Sequence, residues 1–77
     1  MIENNLLQSV FEPNTLIDEY STTEIYYGTS VGSSEVTAST WRIRRAKKVG
    51  NVWSFKYPNG DQSFGFVWED RLTYLYD

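Results

Sequence analysis

The chain has 77 residues, 17% of them aromatic, with seven basic and ten acidic side chains and neither cysteine nor histidine. That length allows one domain, and the missing residue types exclude disulfides, thiolate metal sites and histidine-based acid–base catalysis. Charge is sorted along the chain: residues 1–41 carry six acids and no base, and residues 42–77 carry all seven bases and four acids. Such sorting favours contact between oppositely charged segments, within one chain or between copies. Assembly is therefore preferred over catalysis as a first hypothesis.

Residues 1–20 are predicted to form an acidic arm or short helix. Ile2, Leu6 and Val10 recur every four residues, as on one face of a helix, and Pro13 ends any helix before it. The arm is expected either to lie on the body of the domain or to dock on a neighbouring molecule. No basic region followed by an apolar run is visible, so no signal peptide is expected, and no apolar stretch is long enough to span a membrane.

Residues 21–77 are predicted to form an all-β domain, a small antiparallel meander of about five strands that curls as a half-barrel or compact sandwich. Residues 24–27 are the first strand, and a loop rich in Ser, Thr and Gly follows at 28–40. Alternating apolar and polar residues predict four further strands, at 41–49, 52–57, 63–68 and 71–76. Short turns separate these four, so consecutive strands are expected to pair.

Three motifs stand out in this domain: Tyr-Tyr-Gly at 26–28, Trp-Arg-Ile-Arg at 41–44 and Trp-Glu-Asp-Arg at 68–71. Their spacing, over roughly residues 24–77, resembles a family of small virion-associated proteins of tailed bacteriophages. The resemblance implies a structural component of the virion, in the capsid, neck, tail or fibre attachment, assembled in the host cytoplasm. Its partners would be other virion proteins and copies of itself. No catalytic residues carry over, and no cofactor, metal, membrane or small-molecule substrate is expected.

A basic segment at 42–48 is the strongest candidate for an interface. It contains five of the seven bases, namely Arg42, Arg44, Arg45, Lys47 and Lys48. Three roles are open: a solvated strand face that prevents edge-to-edge aggregation, ion pairing with a protein neighbour, or contacts with nucleic-acid phosphates. The alternative to a virion subunit is accordingly an intracellular phage factor that binds nucleic acid or a host protein through this strand.

The partner of this basic strand is expected to be acidic. In the hypothesis preferred here, the arm of one subunit reaches the basic strand of the next, which would close a ring or run as a lattice. The acids concerned are Glu3, Glu12, Asp18 and Glu19. Tyr26 is added to this interface, because strand alternation is expected to point it away from Ile25 and Tyr27 and into solvent.

The aromatic side chains of the second half are expected mainly in the core, since a small domain without disulfides needs them there. They are Trp41, Trp53, Phe55, Tyr57, Phe64, Phe66, Trp68, Tyr74 and Tyr76. The alternative is an exposed platform that stacks on sugars. Asp61, Glu69 and Asp70 are the carboxylates that could bind a divalent ion or serve in acid–base chemistry, although a turn or ion-pair role is the preferred interpretation.

Overall fold

The computed structural model describes residues 14–77, which form one four-stranded antiparallel sheet. The strands are β1 (Asn14–Ser21), β2 (Glu24–Ser30), β3 (Trp41–Val49) and β4 (Val52–Lys56), and they lie side by side in chain order. A single 3₁₀ turn, Trp68–Asp70, follows in the C-terminal segment. The prediction of an all-β antiparallel meander is therefore confirmed.

Local sequence explains where the chain turns. Gly50 has a φ of 62° between β3 and β4, which matches the predicted two-residue hairpin, because a type II′ turn needs a positive φ at its first central position. The Ser/Thr/Gly-rich loop between β2 and β3 begins later than expected, since residues 28–30 complete β2. Its position is fixed by the indole of Trp41, whose Nε1 donates to the carbonyl of Glu35 at 2.8 Å.

The strand register places the core on one side of the sheet, called the covered face. Tyr26, Gly28, Trp41 and Ile43 lie on this face, where the partners across β2 and β3 are Tyr26 with Arg45, Gly28 with Ile43, and Ser30 with Trp41. Residues 57–77 form a second layer over it, and Trp68 and Tyr76 join the buried cluster from that layer. The molecule measures 43 × 27 × 17 Å along its principal axes, and the short dimension matches two packed layers.

Trp68 holds this second layer against the sheet. Its ring lies over Gly28, where a Cβ atom would come within 2.3 Å of Cε3, and its centroid is 5.8 Å from that of Trp41. Only a residue without a side chain allows so close an approach. The three residues therefore form a contact between β2, β3 and the C-terminal segment.

An ion pair ties the second layer to the edge strand β1. The guanidinium of Arg71 reaches the Asp18 carboxylate through Nε and Nη2, both at 3.0 Å, and Nη1 donates to the carbonyl of Trp68 at 3.1 Å. The guanidinium also lies 4.6 Å from the Trp68 ring centroid. Arg71 thus connects β1 to the residue that covers Gly28.

The strands predicted at 63–68 and 71–76 are wrong. These segments form two isolated bridges, Trp41 with Phe66 and Pro58 with Tyr76, together with the 3₁₀ turn. Their apolar alternation arises because Phe66, Trp68, Tyr74 and Tyr76 pack onto the covered face from above. A segment lying on a sheet and a strand within it produce the same alternation, so the pattern alone could not separate them.

The predicted N-terminal arm is only partly described. Residues 14–20 of that segment lie in β1 and pair with β2, with partners that include Thr15 with Thr29 and Ile17 with Tyr27. Residues 1–13, with the predicted helix, are outside the described part of the chain. Residues 14–20, which were predicted to belong to the arm, are therefore part of the sheet.

Gly28→Ala should destabilise the fold, because the new methyl group would overlap the Trp68 ring, and overpacking of this kind costs about 1–3 kcal/mol. Chemical denaturation gives the free energy of unfolding directly. Gly65→Ala is the matched control, since a Cβ there meets only the Ser63 hydroxyl, at 3.5 Å. Equal stability of the two variants would contradict the described packing of Trp68.

Alkaline pH should destabilise the fold through its buried tyrosines. Burial, with the nearby Glu24 carboxylate, raises the pKa of Tyr26 from 10.0 to about 12, and burial raises the pKa of Tyr76 in the same direction. Above pH 10 the unfolded chain therefore loses protons that the folded chain keeps. Stability is then full below pH 10 and falls above it, by about 1.4 kcal/mol per pH unit for each group.

Tyr26→Phe removes one of these two contributions. Its free energy of unfolding should therefore fall less steeply between pH 10 and 12 than that of the unsubstituted protein. Denaturant titrations at a series of pH values measure both slopes. Identical slopes would mean that Tyr26 is not the buried, neutral group described here.

Candidate binding surface on the open face of the sheet

The second face of the sheet, called the open face, combines large exposed rings with cations. Register places four rows of side chains across it: Thr15, Thr29 and Arg42; Ile17, Tyr27 and Arg44; Ile25, Ala46 and Phe55; and Lys48 with Trp53. Phe55 is 50% exposed and Trp53 is 39% exposed. Since residues 57–77 cover the opposite face, these rings lie at the surface.

Stacking on aromatic rings holds each cation of the open face in place. The guanidinium carbon of Arg44 lies 4.9 Å from the ring centroids of both Tyr27 and Phe55. That of Arg42 lies 5.6 Å from the Tyr57 ring, and Nζ of Lys48 lies 5.9 Å from Trp53. Each such contact contributes about 0.5–1 kcal/mol at an exposed site. The cations are therefore oriented before any ligand arrives.

These cations have no carboxylate partner within residues 14–77. The ion pair described there joins Arg71 to Asp18, on the other side of the sheet. Nη2 of Arg42 makes two long contacts of 3.4 Å, to the Tyr57 hydroxyl and to Oε1 of Gln62, and its buried Nε has no partner in the described chain. The guanidinium of Arg44 is exposed and makes no hydrogen bond within residues 14–77, so its donors are available to an external acceptor.

A depression of about 250 Å³ lies at one end of this face. It forms where the short threonine side chains of β1 and β2 adjoin the long side chains of β3 and the start of the C-terminal segment. Its lining residues are Thr15, Tyr27, Thr29, Arg42, Arg44 and Tyr57. Guanidinium and hydroxyl groups around a concave surface suit a carboxylate or a phosphate, which they bind through charge-assisted hydrogen bonds.

The structure divides the predicted basic interface between two faces. Arg42, Arg44 and Lys48 lie on the open face, whereas Arg45 and Lys47 lie on the opposite side. Arg45 continues the β2–β3 register without a bulge, and its guanidinium rests 5.1 Å from the Tyr76 ring centroid. Arg45 interrupts the apolar alternation of β3, and its guanidinium is accommodated at the edge of the core by stacking on Tyr76.

Among the predicted acidic residues, Asp18 is engaged with Arg71 and Glu19 is exposed on β1. Glu3 and Glu12 lie outside the described residues, so their part in an interface stays a prediction. The carboxylates proposed for a metal or for catalysis, Asp61, Glu69 and Asp70, are exposed, and residues 14–77 contain no cluster of three potential metal ligands.

The predicted exposure of Tyr26 is wrong, because its side chain is 4% exposed. It packs 5.6 Å from the Tyr76 ring, and its hydroxyl donates to the Glu24 carboxylate. The error came from assigning Ile25 and Tyr27 to the core, when the inward positions of β2 are Tyr26, Gly28 and Ser30. Tyr27 lies instead on the open face, where its ring contacts the Arg44 guanidinium.

The aromatic residues expected in the core separate in the same way. Trp41, Trp68 and Tyr76 are buried, and Phe66 and Tyr74 pack against them. Trp53, Phe55 and Phe64 are exposed instead. Cross-strand pairing could have identified Trp53 and Phe55 as exposed. The Gly50 hairpin sets Trp53 opposite Lys48 and Phe55 opposite Ala46, on the face that carries Arg42 and Arg44.

No protein-family model matches this chain, and no similar curated protein or solved structure was found. In residues 14–77 no helix has the length and apolar character needed to cross a membrane. The open face is therefore interpreted from its own geometry: preoriented cations, exposed rings and a shallow depression with anion-binding chemistry.

Proposed function

We propose that this protein is a non-catalytic structural subunit of a bacteriophage particle, and that it binds other proteins through the open face of its sheet. The observation that carries the binding role is the pairing of exposed rings with cations that have no carboxylate partner within residues 14–77. Exposed apolar surface beside uncompensated charge is typical of a surface that another molecule covers.

The chemistry of the open face suits a protein partner. Aromatic residues and arginine are enriched in the centres of protein interfaces, where the rings bury area and the guanidinium makes directed hydrogen bonds. Arg44 between Tyr27 and Phe55 is already restrained, so binding orders fewer side chains. The faces of these rings are also occupied by the guanidinium, which leaves less ring surface for stacking with nucleic-acid bases.

The bacteriophage setting is supported by the sequence resemblance over roughly residues 24–77. The three motifs behind it meet in the fold: Gly28, Trp41 and Trp68 form the central core contact. The same motifs supply Tyr27, Arg42 and Arg44 to the open face. Proteins that share both a fold and a contact surface would need motifs that supply residues for packing and for binding.

Mass spectrometry of purified phage particles tests this proposal. The chain should be present at a fixed copy number per particle. Arg42→Glu with Arg44→Glu should lower incorporation several-fold, because it places repulsive charge at the centre of the open face. Lys47→Glu with Lys56→Glu is the matched control: it makes the same change of net charge with exposed residues outside the open face and should leave incorporation intact.

Absence of the chain from particles, with abundance in infected cells, would refute the structural role. Incorporation that falls equally in both double variants would instead show that net charge, and not the open face, determines binding.

Nucleic-acid binding is the second candidate, because cations interleaved with rings also suit single strands. Fluorescence anisotropy with an oligothymidylate separates the two. A nucleic-acid role requires that the logarithm of the association constant fall with the logarithm of the salt concentration with a slope of about −2. Each of the three cations contributes about −0.7 to this slope. We expect no saturable binding. Saturable binding that the Arg42/Arg44 reversal removes, and the control reversal keeps, would favour the second candidate.

A further inference from the structure

The side of the molecule opposite the open face carries an exposed acidic pair in its C-terminal segment, while Arg45 and Lys47 lie on the sheet of that same side. The open face presents Arg42, Arg44 and Lys48. The opposite side is the outward surface of the C-terminal segment, called the outer surface and defined by Glu69, Asp70, Leu72 and Leu75, all of which are exposed. These two surfaces differ from each other. The charge and the apolar side chains of one would complement those of the other.

Packing of the second layer explains why these residues face outward. Trp68 enters the core at the start of the 3₁₀ turn, which leaves Glu69 and Asp70 on its solvent side. Tyr76 is buried and Tyr74 packs against the core, so Leu75 between them points away and is 73% exposed. No carboxylate contact of Glu69 or Asp70 with a cation is found in residues 14–77.

We infer that copies of this chain associate head to tail, with the open face of one against the outer surface of the next. The inference rests on the proposed function and names the partner: a second copy. Carboxylates of Glu69 and Asp70 would be accepted by Arg42 and Arg44, and exposed leucines would cover exposed rings. Because the two surfaces differ, the contact is heterologous, and repetition produces a ring or an open filament.

The dimensions of the molecule allow such a contact. A broad side of 43 × 27 Å exceeds the roughly 800 Å² that each partner contributes to a standard interface. A second copy of the chain also suits the open face better than a polyanion such as nucleic acid does. Nucleic acid would use the three cations of the open face but would be repelled by a chain whose net charge is −3.

Sedimentation velocity on the full chain and on two charge-reversed variants tests this inference. The first variant, Arg42→Glu with Arg44→Glu, carries acids at both proposed contact surfaces. The second, Glu69→Lys with Asp70→Lys, carries cations at both of these surfaces. The average mass of the unsubstituted chain should rise with concentration at low ionic strength and fall with added salt. Compared with the unsubstituted chain, each variant alone should need a protein concentration at least about ten times higher to associate.

An equimolar mixture of the two variants should associate again, because every contact between them pairs opposite charges. Near-ultraviolet circular dichroism of the buried tryptophans verifies that each variant is folded. Should one be unfolded, the neutral variants Arg42→Gln with Arg44→Gln and Glu69→Gln with Asp70→Gln replace the reversals, and both should weaken association.

Three results would overturn the inference: an unsubstituted chain that is monomeric at every concentration, a variant mixture that stays monomeric, or association that survives the Glu69/Asp70 reversal but not Glu3→Lys with Glu12→Lys. The last would identify the N-terminal acids as the partner of the open face. A monomeric chain that still enters particles would leave the proposed function standing, whereas an associating chain absent from particles would remove the function alone.

Discussion

The contact of Trp68 with Gly28 and Trp41 is the constraint on which the rest of the structure depends. A four-stranded sheet has two faces, and residues 57–77 cover one of them. The glycine on β2 creates the space into which the tryptophan fits, and this decides which face the C-terminal segment covers. Residues 57–77 leave the other face, with Trp53 and Phe55, uncovered.

The roles of the arginines follow from which face of the sheet is covered. On the covered face, Arg45 rests on Tyr76 at the rim and Arg71 pairs with Asp18, so its guanidinium groups contribute to the fold. On the open face, Arg42 and Arg44 stack on rings and meet no carboxylate of residues 14–77. The same residue type therefore serves packing on one side and is available for recognition on the other. The carboxylates of Glu69 and Asp70 on the outer surface are the partner that we propose for these open-face cations.

Much of the fold could be predicted from local pattern. Alternation and turn chemistry identified β3, β4 and the Gly50 hairpin, because these depend on neighbouring residues alone. The choice of face could not be predicted in this way. Tyr26 and Tyr27 are alike in sequence, and only the distant Trp68 and Tyr76 determine which of them is buried. For the same reason the segments at 63–68 and 71–76 were assigned to the sheet they cover. The basic segment 42–48 is a predicted interface, and its division between two faces at Arg45 depends on that same choice.

The proton chemical shift of Gly28 Hα tests the central claim most directly. A tryptophan ring placed over an α-carbon shifts the attached protons strongly upfield, and in this fold the nearest aromatic carbons to Gly28 belong to Trp68. A carbon–proton correlation spectrum of the labelled chain should show Gly28 Hα well upfield of its random-coil position, with a clear downfield move toward that position in Trp68→Leu. A random-coil shift in the unsubstituted protein would mean that Trp68 does not cover this face, and the assignment of the open face would fall with it.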